Sequence, residues 1–174
     1  MAKVGLTKLG LTSNNEVKTI NFNKQEIEVK QYLPVEEKLQ FVENVLNASS
    51  VDMYFYNQGK IEIYFDIELI KNYTNITFTD KQEAEILKWY DKFAGSGLLE
   101  EIKNTIPEKE INFLKEVNEK QIQSVYHYRD SALGIMDAMK NDYSDMELDI
   151  DKLTSALENN EDIGLVKEVM EKLG

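Results

Sequence analysis

Alternating apolar and polar residues near the N-terminus predict a β-hairpin. Residues 17–22, Val-Lys-Thr-Ile-Asn-Phe, alternate in this way, and residues 26–30, Glu-Ile-Glu-Val-Lys, do the same. A period of two residues is typical of a half-buried strand. The polar residues Asn23, Lys24 and Gln25 form a short turn between the two runs. Because a lone hairpin is marginally stable in water, we expect it to pack on helices or on another chain.

The residues before the hairpin do not alternate between apolar and polar. Residues 4–19 mix Gly, Thr, Asn and Lys with isolated Val and Leu. This mixture favours an extended arm or loop over a regular element.

Helical spacing of apolar residues begins after Pro34. Proline suits the first turn of a helix, where its missing N–H group is not needed. We therefore predict a helix from Val35 to Asn47. Its apolar positions are Leu39, Val42, Val45 and Leu46.

The segment from Val51 to Tyr73 carries two conflicting patterns. Residues 53–56 and 61–65 are rich in the aromatic and β-branched residues that favour strands. Four apolar residues also recur at three- and four-residue steps, as on one face of a helix. They are Ile63, Ile67, Ile70 and Tyr73. We predict a helix from Lys60 to Tyr73, and a strand over its first half remains the alternative.

Capping and breaking residues mark the next helices. Thr79 followed by Gln82 matches a capping box, which predicts a helix start. An apolar stripe follows at Ile86, Leu87, Tyr90 and Phe93, and Gly95-Ser96-Gly97 ends the helix. A short helix is predicted from Leu98 to Asn104.

Pro107 precedes the longest helical pattern, from Glu108 to Asn141. The apolar spacing slips near Asn118, so we expect this segment either to break there or to serve as a long spine. Beyond it, Tyr143 to Asp149 is predicted to be an acidic linker, followed by helices over residues 150–158 and 161–173.

These elements predict a helix-dominated α+β fold, in which an N-terminal β-hairpin with an extended arm precedes a bundle of about six helices. We expect three regions. They are the arm and hairpin over residues 1–31, a helical core over 32–141, and the acidic linker with C-terminal helices packed on the core over 142–174.

Charge and composition narrow the functional classes. The net charge is −12, with acidic residues spread along the chain and one arginine, Arg129. Such a surface repels nucleic-acid phosphates and anionic membranes, so neither partner is expected. The chain lacks cysteine, which excludes disulfides and thiolate chemistry. Met1 to Gly10 lacks the apolar core of a signal peptide, and no apolar run approaches a membrane span.

The candidate catalytic residue is His127, the single histidine. Asp130 follows it by three residues and Ser131 by one helical turn, but such neighbours rarely converge on one substrate atom. We therefore expect His127 to pack among aromatic residues, and we predict a protein that is not an enzyme.

Other chemical motifs are weak. The acidic run from Asp142 to Asp151 lacks the glycine of a calcium loop and is interleaved with apolar residues. Gly95-Ser96-Gly97 lacks the spacing of a nucleophile elbow, and the chain holds no phosphate-binding or dinucleotide glycine motif. No cofactor and no metal are predicted.

Aromatic residues are the better candidates for a binding surface. They are most often core residues, yet exposed tyrosines anchor many protein interfaces. The arm, the hairpin and the aromatic segment from Met53 to Phe65 are the predicted working surfaces. The candidate partner-binding residues are Tyr54, Phe55, Tyr56, Tyr64, Phe22 and Ile27.

Several short strings resemble small proteins encoded among the structural genes of tailed phages of Gram-positive and gut bacteria. They are residues 32–38 (Tyr-Leu-Pro-Val-Glu-Glu-Lys), 73–79 (Tyr-Thr-Asn-Ile-Thr-Phe-Thr), 96–98 (Ser-Gly-Leu) and 172–174 (Lys-Leu-Gly). A hairpin leading into an acidic helix also resembles the start of tail assembly chaperones. The arm departs from that likeness and would suit a virion protein that clasps a neighbour.

The resemblance implies a non-enzymatic protein that contacts other phage structural proteins, as a homo- or hetero-oligomer. It would act in the host cytoplasm during assembly, as a tail assembly chaperone, or be incorporated in the virion at the head, connector or tail. The alternative is an acidic inhibitor of host defence that mimics DNA, with Asp142, Asp145, Glu147 and Asp149 as its binding charges.

Overall fold

The computed structural model describes residues 3–52, 55–131 and 133–136. Its elements are β1 (Val17–Phe22), β2 (Gln25–Lys30), α1 (Val35–Ser49), β3 (Ser50–Asp52), β4 (Phe55–Tyr56), α2 (Gln58–Tyr73), α3 (Asp80–Ala84), α4 (Ile86–Gly95), α5 (Leu98–Thr105) and α6 (Glu108–Arg129). The predicted helix-dominated α+β fold with an N-terminal hairpin is confirmed.

Internal contacts divide the chain into two compact units, Met1–Glu119 and Lys120–Gly174. The predicted regions 1–31, 32–141 and 142–174 stay a prediction. The last of them, with its linker and two helices, lies outside the described residues.

The N-terminal hairpin forms as predicted, with antiparallel register from Val17 opposite Lys30 to Phe22 opposite Gln25. Its turn holds two residues, Asn23 and Lys24, and both have positive φ, at 50° and 65°. Such a turn matches the right-handed twist of the strands. The predicted turn included Gln25, which instead pairs in β2.

The outer edge of β2 is tied to the residues that follow α2. The N–H of Asn75 donates to the carbonyl of Glu28 at 3.3 Å, and the Asn75 side chain accepts from the N–H of Glu28 at 3.1 Å. These bonds place the hairpin against the helices of the same unit.

Helix α1 buries Val42 and Val45, as its apolar spacing predicts, but not Leu39. Leu39 is 55% exposed, whereas Lys38 and Phe41 are buried with Val42 and Val45. The prediction that Leu39 lies on the inner face is therefore wrong. Lys38 can occupy an inner position because its ammonium pairs with the buried Glu110 carboxylate.

Helix α2 is the central element of the unit Met1–Glu119. It begins at Gln58, where the Asn57 side chain accepts from the N–H of Lys60 at 3.0 Å. Every residue from Phe65 to Ile70 is buried, and Phe65 meets Phe41 of α1 edge to face at 5.1 Å between ring centroids. The helical interpretation of this segment is confirmed. Residues 55–56 form the short strand β4, paired with β3.

The predicted capping box is present at Thr79. Gln82 donates its N–H to the Thr79 side chain at 3.4 Å and accepts the N–H of Thr79 at 2.8 Å. The helix that begins at Asp80 ends at Ala84 and does not continue to Gly95. The backbone at Glu85 leaves helical geometry there, with φ −116° and ψ 29°. One predicted helix is therefore two, α3 and α4, and Leu87 is exposed.

Helix α6 runs without a break through Asn118, so of the two predicted alternatives, a break there or a long spine, the break is wrong. It ends at Arg129, short of the predicted Asn141. Ser131 starts a new helical turn over residues 133–136 by accepting the N–H of Gly134 at 3.1 Å. A side chain at position 134 would collide with the carbonyl of Tyr128, so glycine is required at this turn.

Within the described ranges, no helix combines the length and the apolar character that crossing a membrane requires.

Candidate interaction surfaces

The predicted partner-binding residues are spread over four elements. Ile27 of β2 is buried and pairs with Ile20, so its side chain serves the core. Phe55 of β4 is half exposed, and Tyr56 and Tyr64 are half-buried. Tyr54 lies outside the described residues. Phe22, at the end of β1, contributes to a surface groove.

This aromatic groove, as we call it, lies between the hairpin tip and α4. It is an open depression of about 230 Å³ with mainly apolar walls, lined by Phe22, Trp89, Lys92, Phe93, Ser96 and Leu98. Small-molecule pockets hold roughly 300–1,000 Å³, so the groove is sized for one or two side chains.

Helix α4 supplies the aromatic wall and is itself poorly covered. It contains no buried residue. Trp89 and Phe93, one turn apart, are both half-buried. The Lys92 ammonium lies 3.9 Å from the centroid of the Trp89 ring, a cation–π contact at the rim. The sequence predicted Phe22 as a partner-binding residue and Phe93 only as part of an apolar helix stripe. It missed Trp89, whose four-residue spacing from Phe93 was the available signal.

The second surface is the arm, residues 3–16. No residue of the arm is buried. It contains a short 3-10 turn, Leu6–Leu9, which ends at Gly10 with φ 57°. Its apolar side chains are 51% to 77% exposed, and they are Val4, Leu6, Leu9 and Leu11. These four exposed apolar side chains make the arm a candidate binding segment.

A buried ionic cluster lies in the interior of the same unit, around Glu110 of α6. The Lys38 ammonium lies 2.9 Å from one carboxylate oxygen of Glu110, and the Tyr73 hydroxyl donates to that oxygen at 3.1 Å. The N–H of Leu33 donates to it as well, at 3.2 Å. Lys38 also lies 4.1 Å from the centroid of the Tyr32 ring.

The Glu110 cluster has a structural role. Burial, reinforced by the Glu110 carboxylate, raises the pKa of Tyr73 far above its usual range. Glu110 is 4% exposed and its carboxylate is fully engaged, so it offers no face to a substrate. The cluster joins the segment after β2 to α1, α2 and α6.

A second ionic group lies at Asp66, about two turns before Tyr73 along α2. Asp66 pairs with Lys103 of α5 at 3.2 Å and accepts from the Tyr90 hydroxyl at 3.4 Å. Burial raises the pKa of Asp66 despite the opposing charge of Lys103, and burial likewise raises that of Tyr90. Perturbed groups can mark catalytic sites, but ion-pair networks between packed helices produce the same shifts. Here the three residues join α2, α4 and α5.

His127 does not form a triad with its neighbours. Its side chain is exposed on α6. The carboxylate of Asp130 is held by Arg129, with Nε 2.7 Å from an oxygen. The hydroxyl of Ser131 donates to the carbonyl of Tyr128. Neither group is therefore directed at the imidazole.

Across the described part of the chain, no three potential metal ligands converge. The acidic run 142–151, with the four charges predicted for a DNA mimic, lies outside those residues.

Comparison with known proteins adds no relative: no family model, no curated protein and no solved structure matches the chain.

Proposed function

We propose that this chain is a non-enzymatic phage structural or assembly protein that acts by binding other proteins. The observation that supports it best is the arm, fourteen residues without a buried side chain that display four apolar residues. Moving such apolar side chains out of water is favourable, and here it requires another surface to cover them. The strings resembling phage structural proteins give the biological setting.

The geometry around the candidate catalytic residue supports binding over catalysis. His127, Asp130 and Ser131 are the residues on which an enzyme hypothesis rests, and two of them are engaged elsewhere. Asp66, a carboxylate whose pKa is raised by burial, bridges packed helices. The aromatic groove is small for a cofactor but suited to a side chain.

Two assembly roles fit this proposal. As a tail assembly chaperone, the chain would cover tail proteins in the host cytoplasm before they polymerise. As a virion component, it would remain at the head, connector or tail, with the arm holding a neighbouring subunit.

The test is coexpression of the tagged chain with the proteins encoded on either side of its gene, followed by affinity purification and mass spectrometry of extracts and of purified particles. We expect at least one structural protein to co-purify. Absence from mature particles identifies the chaperone role, and presence there identifies a virion component.

A pair of arm variants makes the test specific. Leu6→Asp/Leu9→Asp should abolish co-purification, whereas Thr7→Asp/Thr12→Asp, which adds the same charge to the same arm, should retain it. Failure of every neighbouring protein to co-purify, together with absence from particles, overturns the proposal.

A further inference from the structure

We infer that the outer edge of β1 receives an extended segment of a partner protein, which pairs with the strand and places an apolar side chain in the aromatic groove. The inference rests on the proposed function in taking the chain as one that binds other proteins. It adds the conformation and the chemistry of the segment that is bound.

The outer edge of β1 is the first part of this site. Phe22 pairs with Gln25 across the two-residue turn, so hydrogen-bonded positions alternate back along the strand from Phe22. The bond from the Gln31 N–H to the Glu16 carbonyl continues this alternation. The backbone groups of the three positions in between therefore face away from β2. They are Val17, Thr19 and Asn21.

These outward backbone groups are unpaired. Within the described residues, no hydrogen bond reaches the N–H or the C=O of any of the three, and their side chains are exposed. The other edge of the hairpin differs, because Asn75 bonds to Glu28 there. An unpaired strand edge is a template for another strand, so the ligand that fits it is an extended segment.

The aromatic groove lies at the Phe22 end of this edge. Phe22 lines the groove, whereas no residue of β2 does, which puts the groove on the β1 side of the hairpin. Neighbouring strands lie about 4.8 Å apart, so a side chain opposite Phe22 on an added strand can reach the groove. The volume of about 230 Å³ holds one or two such side chains. Edge and groove therefore suit one ligand, bound by main-chain bonds and an apolar anchor.

Charge favours a ligand that also carries a carboxylate. Lys18 lies four residues before Phe22, so both side chains project from the same face of β1. Lys92 stands at the groove with its ammonium over the Trp89 ring. Among the described residues, neither lysine forms a salt bridge. The first 24 residues hold four lysines against one acidic residue, and more distant charges are screened beyond about 8 Å at physiological ionic strength.

The chain itself supplies poorer occupants of this edge. A second copy also has a net charge of −12, and pairing β1 with β1 would bring two strands with identical lysines together. The arm contains a 3-10 turn and no strand, and it does not pair with β1 in the structure. The occupant is therefore a segment of a different protein.

Two synthetic peptides of opposite sequence test the pairing with the purified full chain. Blocked Thr-Glu-Thr-Val-Thr-Leu-Thr places its Glu opposite Lys18 and its Leu opposite Phe22 when it pairs in parallel. The reversed sequence does the same when it pairs antiparallel. Neither peptide is aromatic, so all tryptophan emission comes from Trp89, the single tryptophan of the chain. We expect one of the two to shift Trp89 emission to shorter wavelength in a saturable manner.

Amide hydrogen exchange, followed by nuclear magnetic resonance, locates the bound peptide. Exchange at Val17, Thr19 and Asn21 should slow on binding, because their N–H groups gain acceptors. Exchange at Lys18 and Ile20 should change little, because their N–H groups already face β2. This alternation distinguishes an added strand from a peptide that only fills the groove.

Matched peptides separate the backbone from the side chains. Methylating the peptide nitrogens that face β1 removes donors and keeps every side chain, so binding should weaken at least about tenfold. Replacing the peptide Leu by Ser should also weaken it at least about tenfold, through the lost burial in the groove. Replacing the peptide Glu by Lys should weaken it about fivefold, as expected for an exposed charge pair.

Variants of β1 make the same distinction in the protein. Thr19→Pro removes an outward N–H and no bond to β2, and proline is accepted on the solvent edge of a strand. It should abolish peptide binding, whereas Thr19→Val keeps the N–H and should retain it. Lys18→Glu needs no change of backbone, and it should reverse the preference between the Glu and Lys peptides.

The inference fails if neither peptide both shifts Trp89 emission and slows exchange at the edge. It also fails if binding survives N-methylation of the peptide and Thr19→Pro, since the peptide is then not a strand of the sheet. Slow exchange at Val17, Thr19 and Asn21 without peptide would mean that the edge is already covered. The arm covers it if exchange is independent of protein concentration, and a second copy covers it if exchange slows with concentration.

The two proposals can fail separately. The peptide experiments use the purified chain alone, whereas co-purification with phage proteins is measured with variants of the arm leucines. Co-purification without peptide binding leaves the proposed function intact and removes this inference. Peptide binding without co-purification or presence in particles does the opposite.

Discussion

The Glu110 cluster and the arm place their side chains in opposite environments. In the cluster, two opposite charges are almost fully buried, with Lys38 6% exposed and Glu110 4% exposed. In the arm, leucines are more than half exposed. The buried charges are paired within their own unit, whereas the exposed leucines leave water only when another surface covers them. The cluster therefore holds the fold together, and the arm is available for binding.

Removing the carboxylate at the centre of the cluster is expected to have the largest effect. Glu110→Ala leaves the Lys38 ammonium, the Tyr73 hydroxyl and the Leu33 N–H buried without their acceptor. We expect the free energy of unfolding to fall by about 3–5 kcal/mol, measured by urea denaturation followed by circular dichroism.

The double variant Lys38→Met/Glu110→Met is the control. It replaces both charges by apolar side chains of similar length, and such replacements of buried ion pairs are often neutral. It should recover the part of the loss that comes from the unpaired Lys38 ammonium, while the Tyr73 hydroxyl and the Leu33 N–H remain without their acceptor. A loss below about 1 kcal/mol in Glu110→Ala would mean that the cluster does not hold the helices together.

The second prediction concerns Tyr73 and alkaline pH. Burial, with the nearby Glu110 carboxylate, raises the pKa of Tyr73 above its ordinary value of 10.0. The folded protein therefore keeps this proton after the unfolded chain has lost it. Tyr73 contributes its full stabilisation below pH 10, and this contribution falls by about 1.4 kcal/mol per pH unit as the pH rises further.

Tyr73→Phe should remove that pH dependence and cost about 1–2 kcal/mol at neutral pH through the lost hydrogen bond. The measurement is urea denaturation between pH 8 and pH 11. Tyr64→Phe makes the same change at a half-buried position of the same helix and serves as the control. If Tyr73→Phe loses stability above pH 10 as steeply as the wild type, Tyr73 is not the responsible group.

A third prediction concerns the hairpin turn, which adjoins Phe22 and the groove. Lys24 has φ 65°, a left-handed conformation that costs a residue with a side chain roughly 1–2 kcal/mol. Lys24→Gly should therefore raise the melting temperature and stabilise the fold by about 1 kcal/mol, since the greater freedom of glycine when unfolded offsets part of the gain. Lys18→Gly, within β1, should instead destabilise.

The smallest effect on folding is expected in the arm. In dilute protein, Leu6→Asp/Leu9→Asp should change the free energy of unfolding by less than about 0.5 kcal/mol, because neither side chain is buried. Chemical denaturation at low protein concentration measures this. A loss above about 1 kcal/mol would show that the arm stabilises its own fold, and the contrast with the Glu110 cluster would then fail.

Local signals in the sequence were sufficient for much of the fold. The hairpin follows from alternation around a short polar turn, and the start of α3 follows from Thr79 and Gln82, which interact within three residues. The helix predicted from Lys60 to Tyr73 also follows from local spacing and forms over Gln58–Tyr73, whereas the alternative strand over its first half does not form. These features depend on neighbours in the sequence.

Features that depend on distant partners could not be predicted in this way. Lys38 lies on the inner face of α1 because its ammonium pairs with the carboxylate of Glu110, 72 residues later in the sequence. For the groove, apolar periodicity identified Phe93 but could not show that α4 would be left half covered beside Phe22. The partner that we propose for the arm lies outside the chain, so one sequence does not reveal it.

The sequence separations within the Glu110 cluster also set an order of events during synthesis. Leu33, Lys38 and Tyr73 precede Glu110 by 77, 72 and 37 residues. At roughly 5–20 residues per second, the ribosome adds the carboxylate on the order of 4 to 14 seconds after Lys38. Throughout that interval Lys38 must stay hydrated and the inner face of α1 cannot close. The hairpin and α1 can form early, but their docking waits for α6 to emerge.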